Sequence, residues 1–159
     1  MSTGYWEDIE IGARRELGSF TFTEENIIAF ARKYDPQPFH IDPAAAKQSL
    51  YGGLIASGWH TAAVWMKLVI AERDRNATWK SGSRAGVSPG FEEMKWLKPV
   101  RPGMTLFYST EVVEKVALHS RPQLGLLLSR NEARDGEGTL MMQFIGKGFV
   151  ERKPPGERT

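Results

Sequence analysis

Residues 54–73 read LIASGWHTAAVWMKLVIAER, and the fold turns on them. Apolar side chains fill most positions and no proline interrupts, so the spacing predicts the longest helix of the chain, from Leu54 to about Arg73. A helix that is apolar nearly all round has to be buried. It is not a membrane span, because Ser57, Gly58, His60, Thr61 and Lys67 interrupt a run that would need about 20 apolar residues. Further on, the period changes from helical to alternating. Phe91 to Leu97, Thr105 to Val116, Gln123 to Ala133 and Thr139 to Val150 read as strands, with turns at Pro102-Gly103 and Asp135-Gly136. One buried helix followed by antiparallel strands is satisfied by a curved sheet wrapped around that helix, each covering the other's apolar face. Other α+β arrangements share the pattern, so periodicity gives the class without the topology.

Upstream of that helix the chain is punctuated by caps and prolines. Tyr5 to Gly12 reads as an extended arm, and Leu17 to Thr23 as a strand in which Phe20 and Phe22 alternate with hydroxyl residues. Thr23 is placed to cap a helix whose first turn carries Glu24 and Glu25, where the helix dipole favours acids. Ile27, Ile28, Ala31 and Tyr34 follow at helical spacing until Pro36 closes the helix. Asp35 to Pro38 is irregular, since two prolines bracket one residue. Asp42-Pro43 then restarts a short helix, with Asp as cap and Pro at the first helical position. Tyr51-Gly52-Gly53 breaks it. Residues 74–90 read as a long polar connection and 153–159 as a frayed tail. The whole of 1–159 is read as a single domain.

Composition excludes several classes. The chain is 41% hydrophobic and 25% charged, with 21 basic and 19 acidic residues and a formal charge of +2. No run of five like charges appears, which argues against a nucleic-acid or membrane-surface partner. Without cysteine there is no thiol nucleophile and no thiolate metal site, and a reducing compartment is expected. Met1 to Asp8 lacks a basic segment followed by an apolar one, so a signal peptide is not expected and the cytoplasm is. His40, Asp42 and His60 match no ligand spacing, and no metal is expected. Ser57 in I-A-S-G-W lacks the earlier glycine of a nucleophile elbow. His60 is expected to pack within its helix, and His119 to be solvated.

The stretch that carries chemistry is residues 30–61, FARKYDPQPFHIDPAAAKQSLYGGLIASGWHT. It resembles the signature of MaoC-like dehydratases and R-specific enoyl-CoA hydratases, which runs roughly G-D-x-N-P-x-H-x-D-P-x-x-A. Asp35, Pro38, His40, Asp42, Pro43 and Ala46 match in register, and Gly53 matches a glycine that opens the family's central helix. Residues 94–106, MKWLKPVRPGMTL, resemble the family's F-x-x-P-V-x-x-G-D-x-L. Tyr34, Gln37 and Met104 stand where the family has Gly, Asn and Asp.

The resemblance implies a hotdog fold, an α+β architecture in which an antiparallel sheet wraps a long central helix. It also implies reversible addition of water across an enoyl thioester, with coenzyme A as part of the substrate and no separate cofactor. Acyl carrier protein is a second possible carrier, and fatty acid metabolism the setting. The same resemblance makes Asp35 and His40 the catalytic pair and the Gly53 N–H the oxyanion donor. The chemistry explains why such a motif would be useful. Hydration needs a base on water, a proton for the α-carbon and a donor for the enolate oxygen. Asp35 and His40 lie five residues apart on a proline-stiffened loop and can share one water. Gly53 is read at the helix start, where the N–H is free and the dipole favours an oxyanion.

Gln37, Ser57, Trp59 and Thr61 are candidates for substrate binding, with Trp59 and Tyr34 as bulky walls that favour short or branched acyl groups. The bland alternatives are a turn-capping Asp35 and a satisfied, partly buried His40; Asp42 is assigned to capping. A hotdog thioesterase and a non-catalytic acyl-binding protein are the competing functions. A homodimer or larger homo-oligomer is expected, because one small sheet around one helix leaves apolar surface and strand edges open.

Overall fold

The computed structural model describes residues 4–75 and 86–158. Five strands, β1 (Arg14–Thr21), β2 (Gly90–Trp96), β3 (Thr105–Ala117), β4 (Leu124–Arg134) and β5 (Leu140–Glu151), accompany four helices: α1 (Glu24–Tyr34), α2 (Pro38–Ile41), α3 (Pro43–Lys47) and α4 (Gly58–Arg75). The strands pair antiparallel throughout, in the order β1-β3-β4-β5-β2.

Alternation decides which side of the sheet is apolar. Tyr108 lies opposite Ala133, and Ala133 opposite Met142, so one row of buried side chains crosses three strands. Leu106 and Phe144 extend it two residues along. Across this face lies α4, whose Val64 and Val69 join the same core. Trp65 meets Phe144 edge-on with ring centroids 4.8 Å apart, and the Tyr108 hydroxyl donates to the Thr61 carbonyl at 3.1 Å. This is the hotdog arrangement, α+β, expected from the sequence.

The caps fall where the residues put them. Thr23 and Asn26 form a reciprocal capping box at the start of α1. Asp42 accepts from the N–H groups of Ala44 and Ala45 at 2.9 and 3.2 Å and opens α3, its assigned role.

The structure corrects four expectations. First, the central helix begins at Gly58, not Leu54. Leu54 to Ala56 is a buried non-helical segment whose Ile55 N–H donates to the Phe39 carbonyl and Ala56 N–H to that of Val100. Tertiary partners satisfy this backbone, so an apolar run that reads as helix stays out of it. Second, α4 is not covered on all sides. Trp59, Ala63, Met66 and Ile70 recur at helical spacing along a face left exposed. Third, the N-terminal arm contains a 3-10 turn at Trp6–Asp8; the Trp6 indole lies on Gly125 and donates to the Leu126 carbonyl. Fourth, the segment from Lys153 is pinned, not frayed. Glu7 accepts from the Lys153 N–H and the Arg152 guanidinium, and Arg158 donates to the carbonyls of Lys153 and Pro122. Much of the expected connection at 74–90 lies outside the described residues.

Candidate active site

Asp35 is the last residue held by α1: its N–H donates to the Ala31 carbonyl at 2.8 Å and its backbone leaves the helical region. Pro36 forbids another helical turn, and Pro38 starts α2 at once. The short helix turns His40 back toward Asp35, so that His40 Nε2 lies 3.3 Å from Asp35 Oδ2. The pair expected from the sequence is brought together.

His40 is buried, and its Nδ1 lies 2.7 Å from the Ile55 carbonyl. A carbonyl only accepts, so Nδ1 carries a proton. In the neutral ring, Nε2 is then an acceptor facing an acceptor oxygen of Asp35. The two atoms are compatible at 3.3 Å only with a proton between them, on Nε2 or on a molecule they share. This is an arrangement for moving one proton.

The carboxylate is held from three sides. Ser57 Oγ donates to Oδ2 at 2.6 Å and Gln37 Nε2 to Oδ1 at 2.7 Å. Burial pushes the Asp35 carboxyl up, but these hydrogen bonds, with the charge of a protonated His40, outweigh it and hold it below the ordinary carboxylate range. Asp35 is therefore ionised at neutral pH. A carboxylate has about four lone-pair sites, and Ser57 and Gln37 fill two of them. The remainder is left for His40 and for a water or a substrate.

The pair opens on a cleft of about 550 Å³. Its wall includes Gln37, Trp59 and Thr61 from the expected set, together with Gly58 and Trp96. Ser57 does not face the cleft. It is fully buried, bonds Asp35 and accepts the Trp59 N–H at 3.3 Å as the cap of α4. Thr61 lends a surface to the cleft while its hydroxyl donates back to the Gly58 carbonyl at 2.6 Å. Tyr34 is not a wall: it is 68% exposed and lies tilted against Phe30 on α1.

Gly53 is displaced from its expected role by the true helix start. It sits in the bend before the buried non-helical segment, against the Arg101 side chain and away from the cleft wall. The backbone donor at the N-terminus of α4 belongs to Gly58, whose N–H has no acceptor among the described residues. A serine directly before the helix was the signal for this start, since serine caps well. Trp96 was missed for a different reason: a strand bulge, invisible in the sequence, aims it inward.

His60 follows expectation. It stacks on Phe30 at 4.5 Å and meets Phe22 edge-on at 4.9 Å, and burial lowers its pKa to about 4. Among the described residues no helix is long and apolar enough to cross a membrane.

Comparison with known proteins agrees with this fold. The family model described as a MaoC-like domain matches residues 8–125. The chain is 31% identical over 121 residues to the uncharacterized protein YdeM of Bacillus subtilis, covering 76% of this chain and 80% of that protein. Among solved structures, a MaoC-like dehydratase from Rhodospirillum rubrum matches with TM-score 0.79 and 34% identity over 94% of this chain and 98% of its own. A monoamine oxidase regulatory protein from Archaeoglobus fulgidus matches with TM-score 0.80 and 28% identity over 94% and 95%. At the level of fold alone, an (R)-hydratase from A. caviae (TM-score 0.63, 22% identity, 92% and 98% covered) and a double-hotdog protein from Mycobacterium tuberculosis (0.71, 17%, 95% and 45%) are also similar. The fold, the paired loop and the family match converge: the chain belongs to the MaoC-like domain family.

Proposed function

We propose that the protein is a hydratase/dehydratase acting on an enoyl thioester, with Asp35 and His40 as the proton-handling pair. The observation that carries this reading is the 3.3 Å approach of two acceptor atoms, Asp35 Oδ2 and His40 Nε2, in a cleft that also exposes the N-terminus of α4.

The step balances on these groups. Asp35 takes a proton from water as the oxygen bonds the β-carbon. The π electrons move toward the thioester carbonyl, whose oxygen gains charge beside the Gly58 N–H and the positive end of α4. The proton on His40 Nε2 passes to the α-carbon. Return of the Asp35 proton to Nε2 across 3.3 Å resets the pair. Dehydration is the reverse. The chemistry calls for no redox partner or metal, and coenzyme A enters as part of the substrate. Acyl carrier protein is the other carrier compatible with the reading.

The active form is a homodimer. The stripe of Trp59, Ala63, Met66 and Ile70 on α4 is exposed, as are Phe91 and Leu97 at the edge of the sheet. Apolar surface next to an open strand edge is the pattern that a second copy covers. The double-hotdog neighbour carries two such units in one chain, which supports the same arrangement from two chains here.

The test is a direct assay with crotonyl-CoA. Hydration removes the conjugated enoyl absorbance without releasing thiol. Thiol release would instead identify a thioesterase, and binding without either change would identify a non-catalytic acyl binder; both outcomes reject the hydratase.

A further inference from the structure

The edge strand β2 contains a fault that repositions its last residues. Phe91 pairs with Gly146 and Glu92 with Ile145, but the next recorded pairs are Lys95 with Gln143 and Trp96 with Met142. Three steps along β2 therefore match two along β5, so β2 carries one extra residue. Glu93 lies inside the fault with φ of 55°, a left-handed conformation that is rare for a residue with a side chain. Because side chains alternate with period two, one extra residue exchanges the two faces for everything after it. Before the fault the odd-numbered Phe91 points to the helix-facing side, where it meets Phe144 with centroids 6.0 Å apart. After it the even-numbered Met94 and Trp96 do so: Met94 packs on the core and Trp96 lies opposite the buried Met142. A regular strand would have turned Trp96 to the other face.

The fault delivers Trp96 to one place. Its indole lies directly on Gly58, where a Cβ would come within 2.6 Å of Trp96 Cδ2 and 2.7 Å of Nε1. It meets Trp59 edge-on at 5.2 Å and forms part of the cleft wall, although it remains 44% exposed. The residue that presents its N–H to the cleft is thus the one against which the indole rests. A thioester carbonyl aimed at that N–H must place its neighbouring carbons alongside the indole.

We infer that Trp96, aimed by the Glu93 bulge onto the N-terminus of α4, is a specificity-determining residue that limits the acyl group to short chains. The inference rests on the acyl-thioester reading of the cleft. A strained backbone and a glycine without room for a side chain serve one contact, and a half-exposed indole gains little from burial alone. Bulges beside binding sites characteristically re-aim a side chain in this way.

The test uses the saturated thioesters butyryl-CoA and octanoyl-CoA, which bind without reacting, titrated calorimetrically into the wild type, Trp96→Ala and Trp96→Leu. Crotonyl-CoA hydration is measured in parallel. In the wild type, butyryl-CoA should bind more tightly than octanoyl-CoA. In Trp96→Ala the ratio of the two affinities should move toward octanoyl-CoA by at least about tenfold, the scale on which apolar pockets discriminate. Trp96→Leu, which keeps apolar cover over Gly58, should fall between. An unchanged ratio in both folded variants overturns the role of Trp96 and leaves the hydratase reading intact. Binding of neither thioester by the wild type overturns both. Thioester binding without crotonyl-CoA hydration overturns the hydratase alone, and the affinity ratio still decides Trp96.

Discussion

Asp35→Asn separates a proton-moving pair from a structural one, because the structure bounds what the change costs the fold. Asparagine keeps the shape and one carbonyl oxygen. If that oxygen stays toward Ser57, the new amide NH₂ faces Gln37, whose own amide can turn over and present its oxygen. Both contacts, 2.6 and 2.7 Å in the wild type, are then retained as neutral hydrogen bonds. Hydrogen bonds to charged groups contribute about 1.5–3 kcal/mol and neutral ones about 0.5–1.5, so the fold should lose about 1–3 kcal/mol in all. For a chain of this length that is a fall in Tm of roughly 2–12 °C. Turnover loses a base in a step where such groups contribute about 10²–10⁴, equivalent to about 2.7–5.4 kcal/mol of barrier. His40→Gln, which can still donate to the Ile55 carbonyl, should lose a comparable factor. The two residues pass one proton in one step, so the double variant should be little slower than either single one. The assay is kcat on crotonyl-CoA with the thermal midpoint of all three variants. Turnover of Asp35→Asn within a few-fold of wild type, or losses that multiply in the double variant, would refute the mechanism.

Three further outcomes are expected. Ser57→Ala removes a donor that helps hold the Asp35 carboxyl below its ordinary range, so the acidic limb of the kcat/KM profile should move to higher pH; an unmoved limb rejects the role of Ser57. His60 is held neutral by burial, with its pKa near 4 against an ordinary 6.5, so unfolding takes up a proton as pH falls between those values. The resulting destabilisation, absent above about pH 6.5 and complete near pH 4, should diminish in His60→Leu; equal acid sensitivity of the two proteins contradicts it. Sedimentation at micromolar concentration should give twice the chain mass, and Met66→Lys on the exposed stripe of α4 should shift it toward the monomer; a monomeric wild type rejects the interface.

The parts of the fold set by local chemistry were legible in the sequence. Thr23, Asp42 and Pro36 each act within a few residues of themselves, and α1 and α3 start or stop where those residues dictate. The later strands fall within a residue or two of their expected ends, because alternation and turn residues act locally too. The failures involve distant partners. Nothing in Leu-Ile-Ala shows that Phe39 and Val100 will satisfy its backbone and keep it out of the helix. Nor does the composition of β2 reveal the extra residue at Glu93, which exists only in register against β5. The exposed face of α4 was misread because apolarity alone does not distinguish a side chain packed in its own core from one left at the surface.

Moving the helix start from Gly53 to Gly58 strengthens the chemistry. With Gly53 as donor, the oxyanion site and the base would belong to separate turns whose spacing depended on every residue between them. In the observed register, Ser57 bonds the Asp35 carboxylate through its side chain and caps α4, while the next residue presents the free N–H. Base and donor are then linked through one buried hydroxyl and one peptide bond. The His40 ring is bonded to the Ile55 carbonyl, two residues before that serine, so both halves of the pair are indexed to residues 55–58. In the proposed reaction, preorganisation of this kind would keep the proton pair and the oxyanion donor in register.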